Sequence, residues 1–311
     1  MPKITCLAGG VGAARLLQGL VKVVPSKDIT IIINTGDDIE LYGLKISPDV
    51  DIITYTLAGI VNENTGWGIH GDSFHCLNAL SNFGHETWFN LGDIDIATHI
   101  SRTMLLREGH TLSEITARHA KFLGIEANLI PMTDDHFATH IVINGGLLHF
   151  QEYLVHRRAS DPVQGVKFVG AETSRPAPGL IKALRETDCV IVCPSNPIVS
   201  IGTILSIPGV RNALCETDAK VTAISPIVGG APVKGPADKI MAGMGLEVSA
   251  YAVAELYRDF LDSFVIDSLD QCHADAIRRL GINVVVTNTI MGTQEDKVRL
   301  AETTLRSIDL V

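Results

Sequence analysis

Residues able to do chemistry fall in a few short stretches of this chain. Gly9-Gly10-Val11-Gly12 lies between an apolar run and a helical pattern. Glycines let a backbone approach a ligand and aim N–H groups at it, and a helix N-terminus adds partial positive charge, so phosphate is the natural guest. The same glycines would also serve a tight turn that needs positive φ. No Gly-Lys-Ser/Thr follows, which excludes a P-loop, and Arg15 stands where the third glycine of a dinucleotide GxGxxG belongs.

Carboxylates form the second group. Asn34-Thr35-Gly36-Asp37-Asp38 ends the second apolar run, where adjacent carboxylates could hold Mg2+ or a ribose, or simply make an Asp-rich turn. Ser47-Pro48-Asp49-Val50-Asp51 reads as an extended segment, in which the i, i+2 spacing puts both carboxylates on one side. With Asp37 or Asp38 they make a cluster whose one basic neighbour in sequence is Lys45, and such a cluster repels itself without a cation or proton. Further on, Asp95, Thr98, His99 and Arg102 share a helix face, which suits ordinary capping and pairing or the wall of an acceptor pocket with Asn90. Pro194-Ser195-Asn196-Pro197 follows the run CVIVC, and Ser225-Pro226-Ile227-Val228-Gly229-Gly230 with Lys234-Gly235-Pro236 follows the next one. Two rigid polar loops at neighbouring strand ends are hard to explain by packing alone. His136 and His140 lie in a strand-like stretch, where their i, i+4 spacing does not make a zinc pair.

The elements that must position these residues follow an α/β grammar. Ile4 to Ala8, Ile29 to Asn34, Cys189 to Cys193, Val221 to Ile224, Glu247 to Ala250, Ser263 to Ile266 and Ile282 to Val286 read as strands. The most apolar of these have the continuous character of strands covered on both faces. Helices are expected at 13–24, 180–187, 208–215 and 239–244, and in the middle at 77–83, 95–108 and 112–123. Asn144-Gly145-Gly146 between 139–143 and 147–150 marks a hairpin. The expected fold class is α/β, a Rossmann-like three-layer sandwich with a mostly parallel sheet. Residues 1–60 and 165–311 would form its core, and 61–164 a mainly helical insertion with a small hairpin that completes the acceptor site.

Bulk properties narrow the function. A net charge of −10 argues against a general nucleic-acid surface but leaves room for a small anionic ligand with a few local donors. Six scattered cysteines without a CxxC pair, no secretory leader pattern and no membrane-length apolar run give the expectation of a cytoplasmic protein.

Taken together, the stretches LAGGVGAARLLQGL (7–20), INTGDD (33–38), ISPDVDIITYTLAG (46–59), WGIHGDSF (67–74), LGDIDIATHISR (91–102), LIPMTDD (129–135), HFQEYLVHRR (149–158), CPSNPIVSIGTIL (193–205) and ISPIVGGAPVKGPA (224–237) resemble the 2-phospho-L-lactate transferases of deazaflavin coenzyme F-420 biosynthesis, with their phosphoenolpyruvate-using relatives. The resemblance implies a Mg2+-dependent phosphotransferase, commonly dimeric. It would move the phospholactyl group of lactyl-2-diphospho-5'-guanosine to the ribityl hydroxyl of the deazaflavin Fo, releasing GMP. An enolpyruvyl-diphospho-guanosine donor is the alternative. It further implies that Gly9, Gly10, Gly12, Ser195, Asn196, Gly229 and Gly230 hold the GDP part. Asp38, Asp49 and Asp51 would be the metal set, Asp49 and Asp51 the catalytic carboxylates, and Asp51 and Asn90 the Fo contacts. A non-catalytic nucleotide-sugar-binding regulator shares the glycine loop and fold type and stands as the rival of another class.

Overall fold

The computed structural model describes residues 2–310. Seven parallel strands form the central sheet, in the spatial order Asn283–Thr287, Ser263–Asp267, Lys220–Ile224, Cys189–Val192, Ile4–Ala8, Ile29–Ile33, Asn128–Pro131. Side chains alternate between two cores, as the pleat demands. Ile4, Cys6, Ala8, Ile29, Ile31 and Ile33 face one; Leu7, Ile32, Val190, Val192, Val221 and Ala223 face the other. Helices cover both faces, so the layered Rossmann-like expectation holds. No helix among the described residues is long and apolar enough to cross a membrane.

The strand order places the site. The chain leaves Ile4–Ala8 in one direction to Ile29–Ile33, while Cys189–Val192 lies on its other side. At such a switch point the two outgoing loops diverge and leave a crevice beyond the strands' carboxyl ends. Those loops are Gly9–Gly12 and Pro194–Pro197.

Several local expectations change. Glu247 to Ala250 is not a strand. It leads into the helix Ala250–Tyr257, because Ser249 caps that helix, its Oγ accepting from Ala252 N at 3.1 Å. Asn128–Pro131 falls inside 61–164 yet pairs with Ile29–Ile33 as the sheet's edge strand, a place that tolerates its terminal proline. Gly165–Val169 joins the expected hairpin, Ala138–Ile143 with Gly146–His149, as the third strand of a small antiparallel sheet. The segment at 48–57 is helical rather than extended: Pro48 occupies the first turn of the helix Pro48–Leu57 behind Ser47.

Candidate active site

A cavity of about 590 Å³ opens at the switch point. Each glycine of the first loop has a different reason to be there. Gly10 has φ +71°. A Cβ on Gly9 would lie 2.7 Å from Asp49 Oδ2 and 2.8 Å from Ser200 Cβ, and one on Gly12 would lie 2.2 Å from the Pro194 carbonyl oxygen. The loop is therefore pressed against both the Pro48–Leu57 helix and the Pro194 loop. Gly9 N donates to Ser195 Oγ at 3.3 Å, and Gly10 N donates to Asp49 Oδ1 at 2.9 Å.

The aspartates do not converge as an extended segment would have them. Residues two apart on a helix point about 200° from each other. Asp49 turns to the glycine loop and accepts from Asn34 Nδ2 at 2.9 Å. Asp51 turns to the Asp93–Arg107 helix, where both guanidinium amines of Arg102 bind its carboxylate. Asp38 pairs with Lys45 Nζ at 2.9 Å, accepts from Ser47 Oγ at 2.9 Å and does not line the cavity. The expected trio Asp38, Asp49 and Asp51 is thus divided among three sets of partners. The neighbour of Asp49 in the cavity wall is Asp37, fully enclosed and with Oδ1 free of any hydrogen-bond partner. Burial lifts the Asp49 carboxyl to about 6, against the donations from Asn34 and Gly10. Burial, and then the charge of Asp49, push Asp37 well above the usual carboxylate range. Two desolvated carboxylates without a cationic partner suit a divalent cation that keeps further ligands for waters and substrate phosphates.

Asp51 belongs to a buried polar network. Burial works against the Arg102 charge, but Asp51 outweighs it and holds the guanidinium above its ordinary value. Arg102 also donates to His99 Nδ1 at 3.2 Å. A guanidinium only donates, so Nδ1 accepts and the His99 proton sits on Nε2, which has no hydrogen-bond partner although Asp95 Oδ1 is 3.3 Å away. Tyr55 donates to the same oxygen at 2.7 Å. Asp51, Tyr55, Asp95 and His99 all reach the cavity wall, as does the exposed Asn90.

Ser195 and Asn196 line the crevice as expected, with Asn196 Oδ1 accepting from Ile198 and Val199 N to hold the turn. Gly229 and Gly230 do not line it. Both have positive φ, 59° and 79°, as the two-residue turn between Ile227–Val228 and Ala231–Pro232, and Gly229 N is engaged by the Asp270 carboxylate at 3.0 Å. The returning segment Pro232–Ala237 reaches the cavity instead. Asp37, offered in the sequence only as an alternative to Asp38, and Lys234, named there within a polar loop, both line the cavity, whereas Arg15 as a ligand contact and the apolar wall of Ile46, Ile52, Phe89, Phe150, Leu154 and Val155 had no signal in the sequence. The wall joins three distant segments, 46–52, 89 and 150–155, and only the fold assembles it.

Comparison with known proteins bears on the family and the fold. The family model described as 2-phospho-L-lactate transferase CofD matches residues 4–300. A phosphoenolpyruvate transferase of Streptomyces coelicolor is 47% identical over 284 residues, covering 89% of this chain and 88% of that protein. A 2-phospho-L-lactate transferase of Methanocaldococcus jannaschii is 41% identical over 303 residues, covering 96% of each. Among solved structures, a Bacillus halodurans protein of the UPF0052 family shares the fold, with a TM-score of 0.64 at 15% identity, covering 97% of this chain and 98% of that one.

Proposed function

Because the chain belongs to the 2-phospho-L-lactate transferase family, we propose that its cavity transfers the phospholactyl group of lactyl-2-diphospho-5'-guanosine to the ribityl hydroxyl of Fo in coenzyme F-420 biosynthesis. The observation that carries this reading is the pairing of two chemistries in one cavity: Asp37 and Asp49, without a cationic partner, beside a helix N-terminus, and an apolar lining of Ile46, Ile52, Phe89, Phe150, Leu154 and Val155. The first suits a metal-bound diphosphate, the second a flat aromatic acceptor.

Asp37 and Asp49 would hold Mg2+, which when bound neutralises diphosphate charge. The Gly9–Gly12 loop and Ser195 position the diphosphate against the first helix. Asp51, fixed by Arg102, offers a carboxylate in a set direction that orients the attacking hydroxyl, and Asn90 contacts the acceptor from the rim. The new P–O bond forms at the phosphorus nearer the organic acid, the P–O bond to GMP breaks, and the hydroxyl proton is lost. Such a centre asks for positioning and charge neutralisation more than covalent help.

A second reading has its own support: the higher identity to the Streptomyces phosphoenolpyruvate transferase favours an enolpyruvyl-diphospho-guanosine donor. The exposed Phe74, Phe83, Ile94 and Met104 on and beside neighbouring helices support a homodimer, and six free cysteines support a reducing, cytoplasmic setting. The test is to incubate the protein with Mg2+, Fo and each donor and to weigh the phosphodiester product. Folded protein that makes no product with either donor refutes the assignment.

A further inference from the structure

The cavity contains two cations that the family's reaction outline does not use. Arg15 and Lys234 both line it, and their charges act on each other: burial, and then Arg15, hold the Lys234 ammonium below its ordinary value. Among the described residues, neither has a carboxylate partner. Arg15 Nη1 donates to the Met291 carbonyl at 3.3 Å and Lys234 Nζ to the Thr65 carbonyl at 2.7 Å. Two like charges held together without a counter-ion in a ligand cavity mark the place of a ligand's anion.

The surroundings say which anion. Arg15 is five residues past Gly10, about 7 Å further along the helix, and helical side chains lean back toward the N-terminus. Its guanidinium, held by the Met291 carbonyl, therefore reaches back into the cavity beside the glycine loop. Lys234 comes from the opposite loop. Gly66 makes way for it: a Cβ there would lie 2.9 Å from Val11 Cγ1 and 3.3 Å from Lys234 Nζ. The ammonium is thus held over Val11, beside the glycine loop. Around the two cations the lining is apolar, from Val11, Trp67, Val233 and Met291. A planar guanidinium, a second cation and small apolar contacts together suit a carboxylate that carries a methyl or methylene group.

We propose that Arg15 and Lys234 form the subsite for the free carboxylate of the donor's organic acid. The inference rests on the transferase reading, because it takes the donor to be an acid linked through a diphosphate. The carboxylate hangs from the carbon that bears the phosphate ester, one group beyond the reacting phosphorus, while the glycine loop and the Asp37–Asp49 end serve the diphosphate. This clamp distinguishes the loaded donor from GDP, which lacks the carboxylate.

Lys234→Met and Arg15→Gln test it. Both residues are at least partly exposed, so the fold tolerates their loss, and unchanged melting temperatures check this. The KM for either loaded donor is expected to rise roughly 10–100-fold, the loss of one charge-assisted contact, while the calorimetric Kd for GDP with Mg2+ changes less than about 3-fold. Equal weakening of GDP and donor overturns the proposal in favour of a diphosphate clamp, and no change in either also overturns it. Direct binding separates this from failure of the transferase reading. Wild-type protein should bind phosphoenolpyruvate more tightly than inorganic phosphate in the presence of Mg2+, and Lys234→Met should erase the preference. Absence of that preference in the wild type counts against the subsite even if turnover is observed, and its presence supports the subsite even if both donors fail.

Discussion

Replacing Asp49 by asparagine probes the electrostatics of the cavity floor directly. Burial raises this carboxyl from an ordinary 3.8 to about 6. A carboxyl whose native pKa exceeds its unfolded value binds more protons when folded, so its contribution favours the native state below pH 4 and is lost as pH rises to about 6. The difference, 6 minus 3.8, corresponds to about 3 kcal/mol of destabilisation of the metal-free protein at neutral pH. Asparagine carries no charge and escapes this penalty, but it loses a hydrogen bond. Asp49 accepts from both Gly10 N and Asn34 Nδ2, and asparagine has one acceptor oxygen. Asn34 cannot turn its amide to compensate, since its Oδ1 already accepts from Gly36 N at 2.8 Å and Thr203 Oγ1 at 2.6 Å. The lost bond costs about 1–3 kcal/mol.

The expected result of urea denaturation in EDTA is therefore a pH-dependent gap. Near pH 4 the Asp49→Asn variant is less stable by about 1–3 kcal/mol. By pH 7 the wild type has given up about 3 kcal/mol and the gap closes or inverts. Comparing the two proteins removes the contribution of groups that do not feel Asp49, including His149, which titrates over the same window in the opposite sense; Asp37, which the Asp49 charge raises, is relieved in the variant and shifts the gap in the same direction. Mg2+ at 100 times its Kd then adds about 2.7 kcal/mol to the wild type and little to the variant. A gap that is constant with pH, or widens as pH rises, refutes the placement of Asp49 as a desolvated carboxylate awaiting a cation.

Three further outcomes can be measured. Burial, and then the His140 charge, hold His149 down to about 4, so stability is lost as pH falls from 6.5 toward 4. His149→Gln should flatten that acid limb, by at most about 3 kcal/mol and less after screening at the partly exposed ring, in the same urea titrations. Arg102→Met leaves Asp51 buried without its guanidinium and should cost about 3–5 kcal/mol, part of it recovered in the double variant with Asp51→Asn; a loss below about 1 kcal/mol would contradict the buried pair. Gly10→Ala meets open space and pays only for its positive φ, about 1–2 kcal/mol, whereas Gly12→Ala drives a Cβ to 2.2 Å from the Pro194 carbonyl and should fail to yield soluble protein or melt far lower.

The central sheet is largely legible in the sequence because its strands are buried on both faces. Runs such as ITCLA, ITIII and CVIV need no partner information to be recognised. Asn128–Pro131 is harder: four residues, a terminal proline and an edge position leave a weak pattern. Gly165–Val169 pairs with one strand of a small antiparallel sheet, and none of its residues is fully buried, Lys167 being exposed. The glycine loop and the Ser195-Asn196 loop are legible as site residues, since both lie at strand ends that the order of the sheet brings together. Gly229 and Gly230 have the same local look, yet their positive φ angles serve a hairpin turn, and a carboxylate 41 residues away occupies the Gly229 N–H. That distinction is tertiary and has no signature within the loop.

The aspartate cluster turns on a single local decision. Ser47-Pro48 is a helix start, with proline in the first turn, and this signal competes with the alternating look of Asp49 and Asp51. Once the segment is helical, the two carboxylates must face different ways. One can then sit against the glycine loop with no cation while the other is neutralised by Arg102, 51 residues on. The same rotation that separates them gives each a distinct environment: Asp49 shares the cavity wall with Asp37 and has no cationic partner, as the proposed metal site needs, and Asp51 is fixed by Arg102 at the edge of the same cavity. An extended segment would have put both charges in one place, where they would compete for one cation and leave no directed group for the attacking hydroxyl. In the proposed reaction it is therefore the helix that would let neighbouring aspartates of one short motif serve the donor and the acceptor separately.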